Sequence, residues 1–232
     1  MLILGIDTAT VQVGAAIGGN EGVLASAHSS RGQRHAETLT PAIDFIRRQA
    51  RIDLDEISVV AVDIGPGLFT GLRVGIASAK AIAFALRVPM IGISSLDLVA
   101  FPVRFSPKLI AAVIDARRSE VYYALYRQVP GGIQRLTEPI VTSPDDLAGE
   151  LQARGEECLA VGDGAIRYRE ILDQVSKVEV VKEGLAYPRA TALVRLAHAR
   201  AMREDWVNPW ELEPLYLRLP DAEINWTTRE GK

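Results

Sequence analysis

Hydrophobic residues near the start of the chain fall in short runs separated by turn-forming residues. Residues 2–7, LILGID, make an apolar run closed by an acid, and VQVGAAIG follows at 11–18 after the turn-like DTAT. The two read as a hairpin. GGNEG at 18–22 is a second turn and VLASAH at 23–28 predicts a third strand, so a meander opens the chain. From His35 the period changes: Leu39, Ile43, Ile46 and Ala50 recur at spacings of four and three, which predicts a helix with one apolar stripe. Pro41 lies inside that stripe and is expected to kink the helix or mark its first turn. SVVAVDI at 58–64 then predicts a buried strand, GPG at 65–67 a turn, and residues 70–86 a helix rich in Gly and Ala. Pro89 ends that helix, IGI at 91–93 predicts a short strand, and SSLDLVAF at 94–101 begins on good N-cap residues. Pro102 and Pro107 bracket the expected junction between an N-terminal lobe, 1–102, and a C-terminal lobe, 103–232.

The second lobe repeats the opening of the first. Residues 109–126 match it at an offset of 108, with Asp7 over Asp115, Ile6 over Ile114, Val13 over Val121, Ala16 over Ala124 and Ile17 over Leu125. This is the signature of a duplicated unit. Two such units place acidic hairpins across a cleft, and the plan resembles the two-lobed α/β superfamily of actin, hexokinase and the chaperone ATPases. There each lobe runs meander, helix, strand, helix. Further on, a capped helix is expected at 144–155, a strand and turn at 159–164, and an amphipathic helix at 189–203. WELEPLYLRLP closes the ordered part, and the last dozen residues read as a tail.

Composition narrows the class. With 232 residues, 48% hydrophobic and 24% charged, the chain can fill one large core or two small ones. No run approaches the roughly 18 to 20 apolar residues of a membrane span, and no basic segment with a cleavage site opens the chain, so a cytoplasmic protein without membrane contact is expected. The single cysteine, Cys158, has no partner for an internal disulfide and reads as a buried small hydrophobe. Net charge is −3, and the one basic grouping, Arg47, Arg48 and Arg51, reads as a solvated helix end. The chain is therefore not expected to bind nucleic acid by itself.

The candidate chemistry is sparse. GPGLFTGLR has five residues between Gly65 and Gly71 and no following Lys-Ser or Lys-Thr, so it is not a Walker loop. Its glycines can let the backbone turn while Thr70 caps the helix and Arg73, one turn in, reaches an anion. Asp7, Gly65, Gly67, Thr70 and Arg73 are accordingly the candidate nucleotide or anion contacts. ARRSE at 116–120 is bulky and basic where kinases of this superfamily carry a Gly- and Thr-rich phosphate loop. His28, His35 and His198 are never three or four apart, so no helix offers a metal two imidazoles. No residue is assigned a catalytic role.

The stretch DIGPGLFTGLRVGIASAKAIA, Asp63 to Ala83, resembles the signature of the TsaB family. ILGIDTAT at 3–10, RHAETLTPAIDFI at 34–46, VIDARRSEVYYALY at 113–126 and EPLYLR at 213–218 support it in family order. Leu68 departs from the serine usual there and is closer to the related catalytic subunit TsaD. The resemblance implies a non-catalytic subunit that pairs with TsaD and activates it. The complex transfers threonylcarbamoyl from threonylcarbamoyl-adenylate to the tRNA adenosine next to the anticodon. TsaE joins as well, tRNA is reached only through the complex, and a homodimer is the expected alternative when TsaD is absent. No cofactor is required, and ATP or ADP has a place at the partner junction.

Pairing is expected through the first two helices. Small residues around the whole circumference of 70–86 allow close approach, which assigns the contact to His35, Leu39, Ile43, Ile46, Gly71, Gly75, Ala79, Ile82 and Ala83. The rival from another class is a small-molecule kinase of the same superfamily using Asp7 and the Gly65 turn.

Overall fold

The computed structural model describes residues 1–30 and 34–218. The expected tail after Pro220 lies outside the described residues. Three strands, β1 (Leu2–Asp7), β2 (Val13–Gly19) and β3 (Gly22–Ser29), form the opening meander. There follow α1 (His35–Ala50), β4 (Ile57–Gly65), α2 (Phe69–Leu86), β5 (Met90–Ser94) and α3 (Ser95–Ala100). Then come β6 (Leu109–Arg117), β7 (Glu120–Val129), β8 (Gly132–Arg135), β9 (Ile140–Thr142) and α4 (Pro144–Arg154). The chain continues through β10 (Cys158–Val161), α5 (Asp163–Arg167), α6 (Arg169–Leu172), β11 (Val178–Val180) and α7 (Ala190–Ala201).

Local chemistry sets several of these ends. Ser94 and Ser143 accept hydrogen bonds from the amides of Leu96 and Asp146, which starts α3 and α4. Gly155, with φ of 63°, ends α4 in the left-handed conformation that glycine adopts without penalty. Pro41 does not mark the first turn of α1: the helix runs from His35 through it to Ala50.

Topology confirms the duplication. The first sheet has the order β3-β2-β1-β4-β5 and the second, read from its other edge, β8-β7-β6-β10-β11, with β9 also on β7. In both, the meander is antiparallel and the two later strands are parallel. The fold is thus the two-lobed α/β architecture that the repeat pointed to.

The residue matching within the repeat is corrected by the register. Ile6 pairs with Ala15 and lies in one core cluster with Leu4, Val13 and Ile17. In the second lobe Val121 and Leu125 share their cluster with Ala111 and Val113, and Val113 pairs with Tyr123. Ile6 therefore corresponds to Val113, while Val13 does correspond to Val121 and Ile17 to Leu125. The second hairpin is one residue longer and takes up the excess at a bulge between Asp115 and Arg117. One added residue turns everything beyond it to the opposite face. Asp115 is consequently not the mirror of Asp7.

The lobe boundary is also crossed. α1 and α2 pack on one face of the first sheet, against Leu4, Ile6, Val60 and Val62. The opposite face, with Ile3, Val59 and Ala61, is covered by Ala190, Leu193, Val194 and Ala197 of α7. Conversely, Leu96, Val99 and Ala100 of α3 pack on Ile110, Ala112 and Ile114 of the second sheet. The lobes exchange their last helices, so residues 190–212 belong structurally with the first lobe, against the expected 103–232 unit. After α7 the chain bridges Val207 to Met90, buries Leu212 in the first core and donates the Leu215 amide to the Ile64 carbonyl.

Candidate functional site

The glycines of α2 answer to their own chain. A Cβ on Gly71 would lie 2.2 Å from the Thr8 carbonyl oxygen, one on Gly75 2.2 Å from Thr8 Oγ1, and one on Gly67 2.2 Å from the Ala9 carbonyl oxygen. The segment after β1 lies directly on the start of α2. Thr8 Oγ1 donates to the Gly71 carbonyl at 2.7 Å, and the Leu68 amide donates to Ala9 at 2.7 Å. His35 is buried beside the same segment, with Nε2 2.7 Å from the Thr10 carbonyl oxygen.

The nine residues expected to meet a partner are thereby corrected. His35, Leu39, Ile43, Ile46, Gly71, Gly75, Ala79 and Ala83 are buried inside this molecule, and Ile82 is half-buried against the same core. Apolar and small residues sought the chain's own sheet because that burial is available in every copy. The outward faces of the two helices carry other residues: Thr40, Pro41 and Phe45 on α1, and Arg73, Ala77, Ala81, Phe84 and Ala85 on α2. Phe45 is 53% exposed and Phe84 63%. The missed signal was the i, i+4, i+8 spacing of Ala77, Ala81 and Ala85 beside Phe84.

The five candidate anion contacts do not converge. Asp7 is enclosed. Leu68, not Thr70, is the N-cap of α2, and no side chain caps it. Gly65 is buried, with φ of 100°, and its Cβ position abuts Leu72 and the Leu215 carbonyl oxygen. Arg73 is exposed, its guanidinium 3.7 Å above the Phe69 ring and its Nε 3.4 Å from the Tyr216 hydroxyl. Gly67 and Thr70 do line a cleft of about 380 Å³ between the lobes, facing Asp115, Arg117 and Arg118 from the second hairpin and Tyr216 from the returning chain.

That hairpin turn is strained and charged. Arg117, Arg118 and Ser119 have φ of 63°, 53° and 60°, three consecutive left-handed residues without a glycine. Asp115 lies 3.3 Å from Arg117 and 3.7 Å from Arg167, and its amide donates to Asp163 Oδ1 at 3.1 Å. Burial pushes the Asp163 carboxyl up to about 6. Ser119→Gly is expected to raise stability by about 1 kcal/mol, because glycine adopts this conformation freely. An unmoved or lowered urea midpoint would show that the turn stores no strain.

Asp7 and Asp63 form the most unusual polar feature of the first lobe. They follow the paired residues Ile6 and Val62 on adjacent parallel strands, which sets them side by side. Both are buried. Asp7 Oδ1 accepts from the Ala9 amide at 3.1 Å, and Asp63 Oδ1 accepts from the Gly65 amide at 2.8 Å and from Ser95 Oγ at 2.5 Å. Oδ2 of each is buried without another partner. Burial, then the neighbouring Asp63 charge, raises Asp7 well above the ordinary carboxylate range. Burial lifts Asp63 to about 6 against the opposing bonds from Ser95, Gly65 and Asp7. Burial therefore favours the protonated form of both carboxyls, and the charge of Asp63 adds to that at Asp7.

Among the described residues no group of three or more His, Cys, Asp or Glu could hold a metal ion. The family model described as "TsaD: tRNA N6-adenosine threonylcarbamoyltransferase" matches residues 23–226. Over its whole length the chain is similar to proteins of another name. It is 30% identical to the tRNA threonylcarbamoyladenosine biosynthesis protein TsaB of Haemophilus influenzae, covering 85% of this chain and 84% of that one. The chain belongs to the TsaB family. A solved structure of YeaZ from Pseudomonas aeruginosa superposes with a TM-score of 0.82 at 27% identity, covering 93% of this chain and 99% of that one. An uncharacterized protein of Mycobacterium leprae is 36% identical over 96% of this chain, which spans 56% of that protein's length. The family model carries the transferase's name, but the full-length match to TsaB is the more specific likeness. On the outward face of α2 the Trp210 ring lies 5.6 Å from that of Phe84, and the Tyr216 hydroxyl reaches Arg73.

Proposed function

We propose that this chain is the accessory, non-catalytic subunit of a cytoplasmic tRNA threonylcarbamoyladenosine machinery, docking on TsaD through the outward faces of α1 and α2. The observation that carries this is the exposed strip of Phe45, Ala77, Ala81 and Phe84 on two adjacent helices already anchored to the sheet beneath. Large rings beside alanines suit close helix packing, and their burial supplies the free energy of association. A second copy is the competing occupant when TsaD is absent. TsaE joins the assembly, and ATP or ADP takes the cleft between Thr70 and Arg117, where arginines face the start of α2.

The test is reconstitution with TsaD, TsaE, threonylcarbamoyl-adenylate and tRNA, with and without this chain. Modification is expected to depend on it. Ala81→Arg, on the outward face, is expected to weaken binding to TsaD at least about tenfold, by about 1.4 kcal/mol or more, while the fold stays intact. Undiminished capture of TsaD by a folded Ala81→Arg variant would remove the interface from these helices.

A further inference from the structure

The basic group visible in the sequence is neutralised in the fold. Arg47 lies 3.2 Å from both Asp44 and Asp53, and Arg48 lies 2.7 Å from Asp44. A second line of cations is not. Arg73, Lys80 and Arg87 recur every seven residues along one edge of α2 and its C-cap, roughly 10 Å apart by helical rise. α2 carries no acidic residue, and among the described residues none of the three cations lies within ion-pair distance of a carboxylate. The returning chain runs along the same edge, pinned by Tyr216 at Phe69 and Arg73 and by Trp210 at Phe84. Between the end of α2 and that chain lies a groove of about 670 Å³, walled by Phe84, Val88, Pro89, Trp206, Pro209 and Trp210, with Arg87 at its side. Its rings are exposed yet firmly held. Trp210 is 72% exposed. The backbone beneath is fixed: Val207 exchanges both hydrogen bonds with Met90, at 2.9 and 3.0 Å, the Trp210 amide donates to Asn208 Oδ1 at 3.1 Å, and Leu212 is buried in the first core.

We infer that this groove seats a large apolar side chain of the partner that packs on α2, carried on an acidic segment whose carboxylates meet Lys80 and Arg87. A pocket of exposed rings on an anchored backbone is what an aromatic or aliphatic anchor fills at little cost in ordering. The groove is continuous with the docking strip, because Phe84 belongs to both. Charge selects among occupants. A second copy fits poorly: an isologous pair centred on Lys80 sets Arg73 of each copy against Arg87 of the other and Lys80 against its counterpart, like charges that repel at the rim of the contact. A segment bearing Asp or Glu beside its apolar anchor relieves the same cations. Arg73 is already stacked on Phe69, so the selectivity lies with Lys80 and Arg87. The inference rests on the TsaD reading proposed above and extends it, naming the chemistry that TsaD presents and the place on this chain that receives it.

The experiment is calorimetric titration of TsaD into the full chain at low and high salt, with thermal melts to show each variant folded. Trp210→Ala is expected to weaken binding at least about tenfold at both salt concentrations, because the lost contact is apolar. Arg87→Glu is expected to weaken it about tenfold at low salt and much less at high salt, with Arg87→Lys near wild type. Wild-type affinity in folded Trp210→Ala overturns the proposal, as does an Arg87→Glu effect that salt leaves untouched. Light scattering of the chain alone reads the self-pair: a Trp210→Ala change confined to self-association assigns the groove to a second copy and overturns the proposal too. A Trp210→Ala effect that disappears in a chain ending at Arg218 assigns it to residues 219–232, with the same consequence. The docking reading fails separately. If folded Ala81→Arg still captures TsaD, both fall, whereas loss of TsaD by Ala81→Arg with full retention by Trp210→Ala sinks only the groove.

Discussion

Ala79→Arg is expected to unfold the first lobe. Ala79 has no exposed surface and packs among Leu39, Ile43, Val60 and Ile76 beneath α2. A guanidinium there must either lose its hydration without a partner or force α2 off the sheet. Introducing an unpaired charge and an oversized side chain into a packed core costs more than about 4 kcal/mol. That is a large part of the roughly 5 to 15 kcal/mol that holds a domain together. Two residues on, Ala81 faces outward, and the same substitution there should leave the urea midpoint nearly unchanged. Measuring both variants in one denaturation series separates the inward from the outward face. A folded Ala79→Arg protein with wild-type stability would contradict the packing described here.

The contrast between these two alanines shows what the chain discloses before it is folded. Period alone placed the strands and the long helices, because Leu39, Ile43 and Ile46 must share a face and Val59 to Val62 must be buried. The duplication was legible for the same reason, and the paired topology bears it out. Smallness, however, has two causes that composition cannot separate. Gly71 and Gly75 are small because Thr8 lies on them, a contact across 63 residues of chain between Thr8 and Gly71, whereas Ala77 and Ala81 are small on an open face. A bulge was equally invisible, and it moved Asp115 to a different face from Asp7. The charged groups followed the same logic. Arg47 and Arg48 look like a patch until Asp44 is seen beside them.

Asp7→Asn is expected to stabilise the protein at pH 8 and to flatten its pH dependence. Both Asp7 and Asp63 have carboxyl pKa values raised above the ordinary 3.8, chiefly by burial. A raised carboxyl binds its proton more tightly in the native state, so its contribution is complete below about pH 4 and is lost as pH rises through the folded value. Asp63 loses its share between about 4 and about 6, and Asp7, also raised, loses its share in the same direction as pH rises. A shift of about two units corresponds to roughly 3 kcal/mol at most, as an order of magnitude. Asparagine keeps the oxygen that accepts from the Ala9 amide and carries no charge at any pH, so the cost of ionising a buried carboxyl at this position is removed. Urea unfolding at pH 5, 6.5 and 8 should therefore show a wild-type protein that weakens steadily and a variant that gains about 1 to 3 kcal/mol over it at the top of the range. Because Asp63 also holds Ser95 at the start of the helix that crosses to the second lobe, near-ultraviolet circular dichroism should follow the same transition in the wild type and not in the variant. Parallel pH profiles for the two proteins would mean that burial does not raise the Asp7 carboxyl.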